Sequence, residues 1–397
     1  MTQADEARVI ILNSVAPAGI VTMALDRSLH HALAERVVAD TDIPSFDNAA
    51  MDGFAVRADD VRSGTTTLRL AGEVAAGARA DTPLRPGETM AIMTGAKIPP
   101  ECDAVVQQEW SRRVSDTEIE ILRSVEAGHN IRRKGADLAY GSTVFEIGTV
   151  LRAQELGVLA SLGKTYPTVY RSVRVAILAT GNELVEVDAP VAGEKIRNSN
   201  AHTLAALVRE CDAEPVMLGI AADEREALRT KIMQGLTADM LITTGGVSVG
   251  KYDLVLDVMK EIGVEIKFWK VNIKPGMPLL FGMYGGTAVF GLPGNPVSTA
   301  VTFLQFVRCA LRKMMGTQGV TQMRLRAALE HEFTKSDGKR HFVRGILESR
   351  DGTLYVRSTG SQVSNILSSL TKANCLIIIP EDIKHLRAGE HVDVELL

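Results

Sequence analysis

Between residues 173 and 315, short apolar runs alternate with longer amphipathic segments, and few architectures accommodate that rhythm. Arg174-Val-Ala-Ile-Leu-Ala-Thr180 reads as a buried strand. A polar loop separates it from a helical segment with Leu204, Leu207, Val208 and Cys211 on one face. Residues 215–220 read as a strand, 224–236 as a helix and 239–244 as a third strand. A helix over 254–262, strands over 265–273 and 287–292, and a helix over 297–315 follow. Strands alternating with helices imply a mostly parallel, doubly wound sheet. The last helix is apolar almost all round and is expected to be buried.

The flanking regions read differently. Residues 7–15 and 29–38 are rich in Ala, Leu, Glu and Arg with apolar residues at helical spacing, and 153–161 is another helical piece. Residues 43–138 carry short apolar stretches punctuated by Gly, Pro, Thr and Asp, the signature of strands and turns. After Gly316, strands over 324–333, 341–348, 354–356 and 375–379 alternate with turns such as Asp351-Gly352. The expected fold class is multidomain α/β plus β: a central doubly wound sheet, a β-rich domain before it and a small barrel-like β domain after it.

At 397 residues the chain exceeds one ordinary core, so two to four domains are expected. The net charge of −4 gives no support to a nucleic-acid surface. Cys102, Cys211, Cys309 and Cys375 form no CxxC pair, so neither a zinc site nor a disulfide framework is indicated, and a reducing compartment fits best. The polar, acidic start has no basic segment leading into an apolar run, and no apolar run is long enough to span a membrane. A cytoplasmic location is expected.

Open parallel sheets bind ligands beyond the carboxyl ends of their strands, and three loops there have distinctive chemistry. Thr180-Gly-Asn-Glu183 places a carboxylate after a glycine; alone it is a weak signal, since most such loops are only turns. Thr243-Thr-Gly-Gly-Val-Ser-Val-Gly250 can aim backbone N–H groups into one concavity, as phosphate cradles do. Asp253, just beyond it, conflicts with a bare phosphate unless a divalent cation bridges them. Equally, Asp253 is a good helix-starting residue, and local chemistry leaves both readings open. Gly291-Leu-Pro-Gly-Asn-Pro-Val-Ser298 runs from a strand into a helix, with Pro296 suited to the first turn and Ser298 beside free N–H groups. It reads as a capped helix start or as a stiff loop held open for a ligand.

Outside this region, Phe46-Asp-Asn-Ala-Ala-Met-Asp-Gly-Phe-Ala-Val56 sets Asp47 and Asp52 between apolar anchors, for chemistry or merely to cap a turn. Arg132-Arg-Lys-Gly-Ala-Asp137 reads as a solvated basic loop, and Pro99-Pro100 marks a sharp loop after Met93-Thr-Gly-Ala-Lys97.

Taken together and in order, these segments resemble the MoeA-type molybdopterin molybdenumtransferases, the family that includes the E domain of gephyrin. The resemblance covers essentially the whole chain. It includes Ile273-Lys-Pro-Gly276, His341-Phe-Val-Arg-Gly345 and Ser358-Thr-Gly-Ser-Gln-Val-Ser364 as well as the motifs above. It implies insertion of molybdate into adenylylated molybdopterin, with release of AMP assisted by Mg²⁺ or another divalent cation. By similarity, Asp52, Thr94, Asp137, Glu183, Asp223 and Asp253 are the catalytic positions, with Glu183 and Asp253 as metal ligands. Gly245, Gly246, Ser248, Gly250, Pro293, Gly294, Asn295, Pro296 and Ser298 would hold the pterin nucleotide. Lys274, Arg344 and Ser364 would take molybdate, an oxyanion that needs cations and hydroxyls.

The resemblance also implies a four-part chain: 1–45 with 139–172 as a discontinuous dimerisation domain, then 46–138, 173–316 and 317–397. A homodimer sharing its active site follows from it, as do contacts with other proteins of cofactor biosynthesis. Two departures stand out: Met277 where the family often has Lys, and Asn182 where Asp is common. Two alternatives are a molybdopterin adenylyltransferase, which resembles the central domain alone, and a non-catalytic scaffold like gephyrin. Tungstate shares the shape and charge of molybdate.

Overall fold

The computed structural model describes residues 1–79, 81–246, 254–319 and 323–397. The chain divides into two compact units: Met1–Ala34, Gly148–Ala153 and Tyr166–Leu397 form one, and Glu35–Ile147 with Gln154–Thr165 form the other.

In the first unit, six strands form a sheet in the order Glu214–Ala221, Arg174–Thr180, Met240–Thr244, Thr287–Leu292, Leu280–Tyr284, Glu265–Trp269. The first four run parallel, and Leu280–Tyr284 runs antiparallel to both of its neighbours, Thr287–Leu292 and Glu265–Trp269. Alternation along Arg174–Thr180 divides its side chains between two cores. Val175, Ile177 and Ala179 pack beneath the helix Ser199–Glu210 and the long C-terminal helix, while Ala176 and Leu178 pack beneath Arg225–Gly235 and Leu254–Ile262. Burial on both faces explains why the strand reads as one unbroken apolar run.

That C-terminal helix spans 296–314 and is continuous through a π-helical turn, Phe303–Val307. Arg8 donates to the Gln305 carbonyl at 3.1 Å within this turn. The arginine comes from the helix Ala4–Ser14, the first of the two N-terminal segments with helical spacing.

The second, 29–38, is not helical. Ala32 and Leu33 are buried and bridge to Val150 and Val169, and Val37–Val38 pairs with Thr143–Phe145. Strand partners distant in sequence override a helical propensity worth only tenths of a kcal/mol per residue.

The expected single strand over 265–273 also divides. It ends at Trp269, and Lys270 adopts φ +111°. The turn carries Ile273–Lys274 out of the sheet to pair in parallel with Arg340 and His341. Leu280–Tyr284 does not stand out in the sequence, because Gly282 breaks its apolar run; pairing with both neighbours makes it a strand.

The C-terminal strands close on themselves. Arg340–Arg350 pairs with Thr353–Ser358 on one side and Cys375–Ile379 on the other, and Leu325–Leu329 and His391–Leu396 complete the ring. The interior holds Val343, Val356, Ile377 and Val394. Closure removes the free sheet edges a small β domain would otherwise expose. In the second unit a mixed six-stranded sheet contains Gly53–Val56, Glu88–Ile92 and Ala104–Gln107, as the strand-and-turn pattern implies. No helix among the described residues is long and apolar enough to cross a membrane.

Candidate functional site

Thr244 and Leu292 are register partners on adjacent parallel strands, so the glycine turn after one and the proline turn after the other leave the sheet side by side. Gly245 has φ +91°, and a Cβ there would collide with the Thr180 carbonyl. Only glycine lets the turn pass so close to the neighbouring strand end. Gly246 follows, also left-handed at φ +64°.

The two turns are tied by a short network. The Asn200 side-chain amide donates to Gly294 O at 2.7 Å and Thr244 Oγ1 at 3.0 Å. Thr244 Oγ1 and Thr299 Oγ1 both donate to the Pro293 carbonyl, at 3.2 and 2.6 Å. Pro293 therefore braces the turn from behind, while Gly245, Gly294, Asn295 and Pro296 line a cleft of about 360 Å³. Glu183 stands on its rim. Thr180, 2% exposed, also lines it, and its hydroxyl has no partner among the described residues. An unpaired buried hydroxyl costs about 1–3 kcal/mol, which a bound ligand can recover.

A second cleft, of about 640 Å³, lies on the other side of Asn295, which lines both. Lys274, Met277, Ser298 and Ser364 line it together with Asp337 and Lys339 from the barrel domain. Gly276, at φ +98°, lets the Lys274 loop lie against Thr302 of the long helix, where a Cβ would clash. The Val297 amide donates to Ser364 O at 3.1 Å, so the barrel loop bearing Ser364 caps the start of that helix. Asn295 occupies the N-cap position without using its side chain as a cap, which leaves the amide to the clefts.

Arg344 sits elsewhere than its neighbours in the motif imply. It is 1% exposed, and its guanidinium donates to Ser369 Oγ at 3.1 Å and to the carbonyls of Ser361 and Val363 at 3.3 and 3.1 Å. Burial pushes its pKa down. The side chain does not line the cleft; it holds the loop that presents Ser364.

Asp337 accepts from His341 Nε2 at 2.8 Å and from the Lys339 amide at 3.3 Å, and lies 3.4 Å from Lys274 Nζ. Burial works against its charge, yet the His341 N–H, the Lys339 amide and the Lys274 ammonium outweigh it and hold the carboxyl at about 2. Burial pushes the His341 pKa down, against the pull of the Asp337 carboxylate.

Glu183 and Asp223 come from adjoining loops. The Asn182 backbone N–H donates to Asp223 Oδ2 at 3.3 Å, and Asn182 Oδ1 accepts in return from the Asp223 N–H at 3.1 Å. Asn182 thus joins two loops and carries no charge. Ser248, Gly250 and Asp253 lie outside the described residues.

In the second unit, three motifs converge. Asn48–Ala49 pairs with Ile131–Arg132, and Gly95 N–H donates to Ala49 O at 2.8 Å. Asp47 is spent on structure, accepting from Arg133 at 2.6 Å and from the Lys134 amide at 2.7 Å. Asp52 accepts from both the amide and the hydroxyl of Thr94, at 2.6 and 2.8 Å, and these bonds hold its pKa down. Both residues are exposed, so Asp52 is an ionised, oriented carboxylate open to solvent. Asp137 is anchored through its backbone, its amide donating to Ile43 O at 2.9 Å.

Asn200, Asp337 and Lys339 escape the motif reading. The Asn198-Ser199-Asn200 run marks a helix start, which Asn198 caps, and so conceals the second role of Asn200. Lys335-Ser-Asp-Gly-Lys339 looks like any polar turn.

Three family models match in sequence order: the MoeA N-terminal region (domain I and II) over 2–163, a probable molybdopterin binding domain over 176–313, and the MoeA C-terminal region (domain IV) over 326–397. A molybdopterin molybdenumtransferase of Haemophilus influenzae is 36% identical over 100% of this chain and 98% of its own length. One of Nostoc is 35% identical over 91% of this chain and 85% of its own. The crystal structure of the molybdopterin biosynthesis MoeA protein of Pyrococcus horikoshii superposes with a TM-score of 0.87 at 31% identity, covering 100% of both chains.

Proposed function

This chain belongs to the MoeA family of molybdopterin molybdenumtransferases, and we propose that it inserts molybdate into adenylylated molybdopterin and releases AMP. The activity is that of a molybdenum-transferring enzyme of cofactor biosynthesis. The finer reading rests on one observation: Asn295 lines two clefts of different chemistry. One is built of glycine turns, backbone and hydrogen-bonding side chains with Glu183 and Arg197 among its lining, suited to a pterin nucleotide and its phosphates. The other carries ammonium and hydroxyl groups, suited to a tetrahedral oxyanion. Two substrates that must react would then meet across one residue.

In this reading Gly245, Gly246, Ser248, Gly250 and the 293–296 turn hold the pterin nucleotide. Lys274, Ser298 and Ser364 take molybdate, and Arg344 positions Ser364. Mg²⁺ keeps substrate phosphates and waters as most of its ligands. Glu183 on the cleft rim, with Asp253, therefore suffices to hold it, although the described residues contain no group of three or more metal-binding side chains. Bound there, the cation would neutralise charge on the phosphoanhydride. Asp52 with Thr94, Asp137 and Asp223 complete the acidic set. The four-part division, the homodimer with a shared site, a cytoplasmic location and contacts with other cofactor-biosynthesis proteins belong to the same reading.

An adenylyltransferase would need only the central domain, whereas matches extend over 2–163 and 326–397. Incubation with adenylylated molybdopterin, Mg²⁺ and molybdate, and in parallel with molybdopterin, ATP, Mg²⁺ and molybdate, tests the proposal. Molybdate-dependent AMP release is expected. Formation of adenylylated molybdopterin from ATP without molybdate consumption would overturn it, and no turnover at all would favour a scaffold.

A further inference from the structure

The cleft assigned to molybdate contains a cation that no motif pointed to. Lys339 Nζ lies 3.6 Å from Met277 Sδ within this cleft. A thioether is a weak acceptor, and among the described residues Lys339 forms no ion pair. An ammonium held in a cleft without an anionic partner is poised to take one from solution. Lys274 differs, since Asp337 lies 3.4 Å from its Nζ.

We infer that Lys339 is a further oxyanion ligand of this cleft, and that Asp337 is a positioning residue that holds Lys274 until the dianion arrives. The inference rests on the assignment of the cleft to molybdate. The lysine end of the Lys274–Asp337 pair is exposed, its side chain 60% accessible, while the Asp337 side chain is 28% accessible. Such pairs are weak, so a dianion can draw Lys274 away. Asp337 is not left bare when this happens, because His341 Nε2 and the Lys339 amide still donate to it. The binding step therefore exchanges one ion pair for two, with Lys274 and Lys339 approaching the oxyanion from different domains. It also accounts for Met277: the ammonium of Lys339 stands beside the thioether, where a lysine at 277 would only add like charge.

The test compares steady-state KM values for molybdate and for adenylylated molybdopterin in four proteins: the full-length chain, Lys274→Met, Lys339→Met, and Lys339→Met with Met277→Lys. Lys339→Met is expected to raise the molybdate KM about tenfold or more, as loss of a charged hydrogen bond does. The KM for the pterin nucleotide should move less than about twofold, because that site is distinct. Met277→Lys should recover most of the loss, since it returns a cation to the same side of the cleft; a purely structural role for Lys339 would not be rescued this way. If Lys274→Met raises the molybdate KM and Lys339→Met does not, the inference about Lys339 fails while the cleft stands. If neither variant moves it, the assignment of the cleft to molybdate fails as well.

Discussion

The backbone amide of Val297 donates to the carbonyl of Ser364 at 3.1 Å, joining the first turn of the long α/β helix to a loop of the barrel domain. A helix start has N–H groups without intrahelical partners. Here one of them is satisfied by the segment that also brings Ser364 to the cleft proposed for the oxyanion. The packing of two domains and the composition of the site are thus one arrangement.

That arrangement depends on Arg344. Its side chain is buried and bonds two carbonyls of the 361–363 loop and the Ser369 hydroxyl. Arg344→Leu leaves those acceptors unpaired and is expected to cost about 2–4 kcal/mol of stability. Arg344→Lys recovers only part, since an ammonium cannot reproduce the fork. Chemical denaturation of both variants measures this. A loss under about 0.5 kcal/mol for Arg344→Leu would contradict the structural role.

Asn200 offers a separation of stability from binding. Its amide bridges Thr244 Oγ1 and Gly294 O in the lining of the cleft proposed for the nucleotide. Asn200→Ala is expected to cost about 1 kcal/mol in stability but to weaken the pterin nucleotide about tenfold, because the two turns are no longer held together. Equilibrium binding of adenylylated molybdopterin checks it, and unchanged affinity would count against a paired-turn cradle.

At Gly245 the prediction is steric. With φ +91° and the Thr180 carbonyl in the way, Gly245→Ala forces the turn off its course. Nucleotide binding should fall more than about tenfold. Wild-type affinity in this variant would show that the turn does not hold the ligand.

Asp337 gives a pH signature. Its carboxyl is held at about 2 in the folded protein, below its ordinary value of 3.8. The unfolded chain therefore takes up the proton first as pH falls. The stability contributed by Asp337 is full above about pH 4 and is lost as pH drops toward 2. The stability difference between wild type and Asp337→Asn should shrink as pH drops from about 4 toward 2. A difference that grows across that window would contradict the network.

The sequence made the α/β domain legible because its strands are buried on both faces and its helices on one. Strand Thr287–Leu292 and helix Leu254–Ile262 match the reading residue for residue. Where the reading went astray, partners remote in sequence decided the outcome. Residues 29–38 carry helical spacing, yet Val37–Val38 pairs with Thr143–Phe145. The apolar run from 265 breaks at Lys270, whose left-handed conformation nothing in its composition announces. The site divides along the same line. Glycine turns at strand ends announce themselves locally. Arg344, Asp337 and Lys339 have roles set by what folds around them: one is buried under a loop, one paired to a lysine from another domain, one beside a thioether with no ion pair among the described residues.

The most direct test of the two-cleft account is anomalous diffraction from crystals of the full chain soaked with molybdate and adenylylated molybdopterin. The account predicts a molybdenum peak among Lys274, Ser298, Ser364 and Lys339, with the nucleotide phosphates against Gly245 and the 293–296 turn. A molybdenum peak away from that cleft, or phosphates away from the glycine turn, would contradict it.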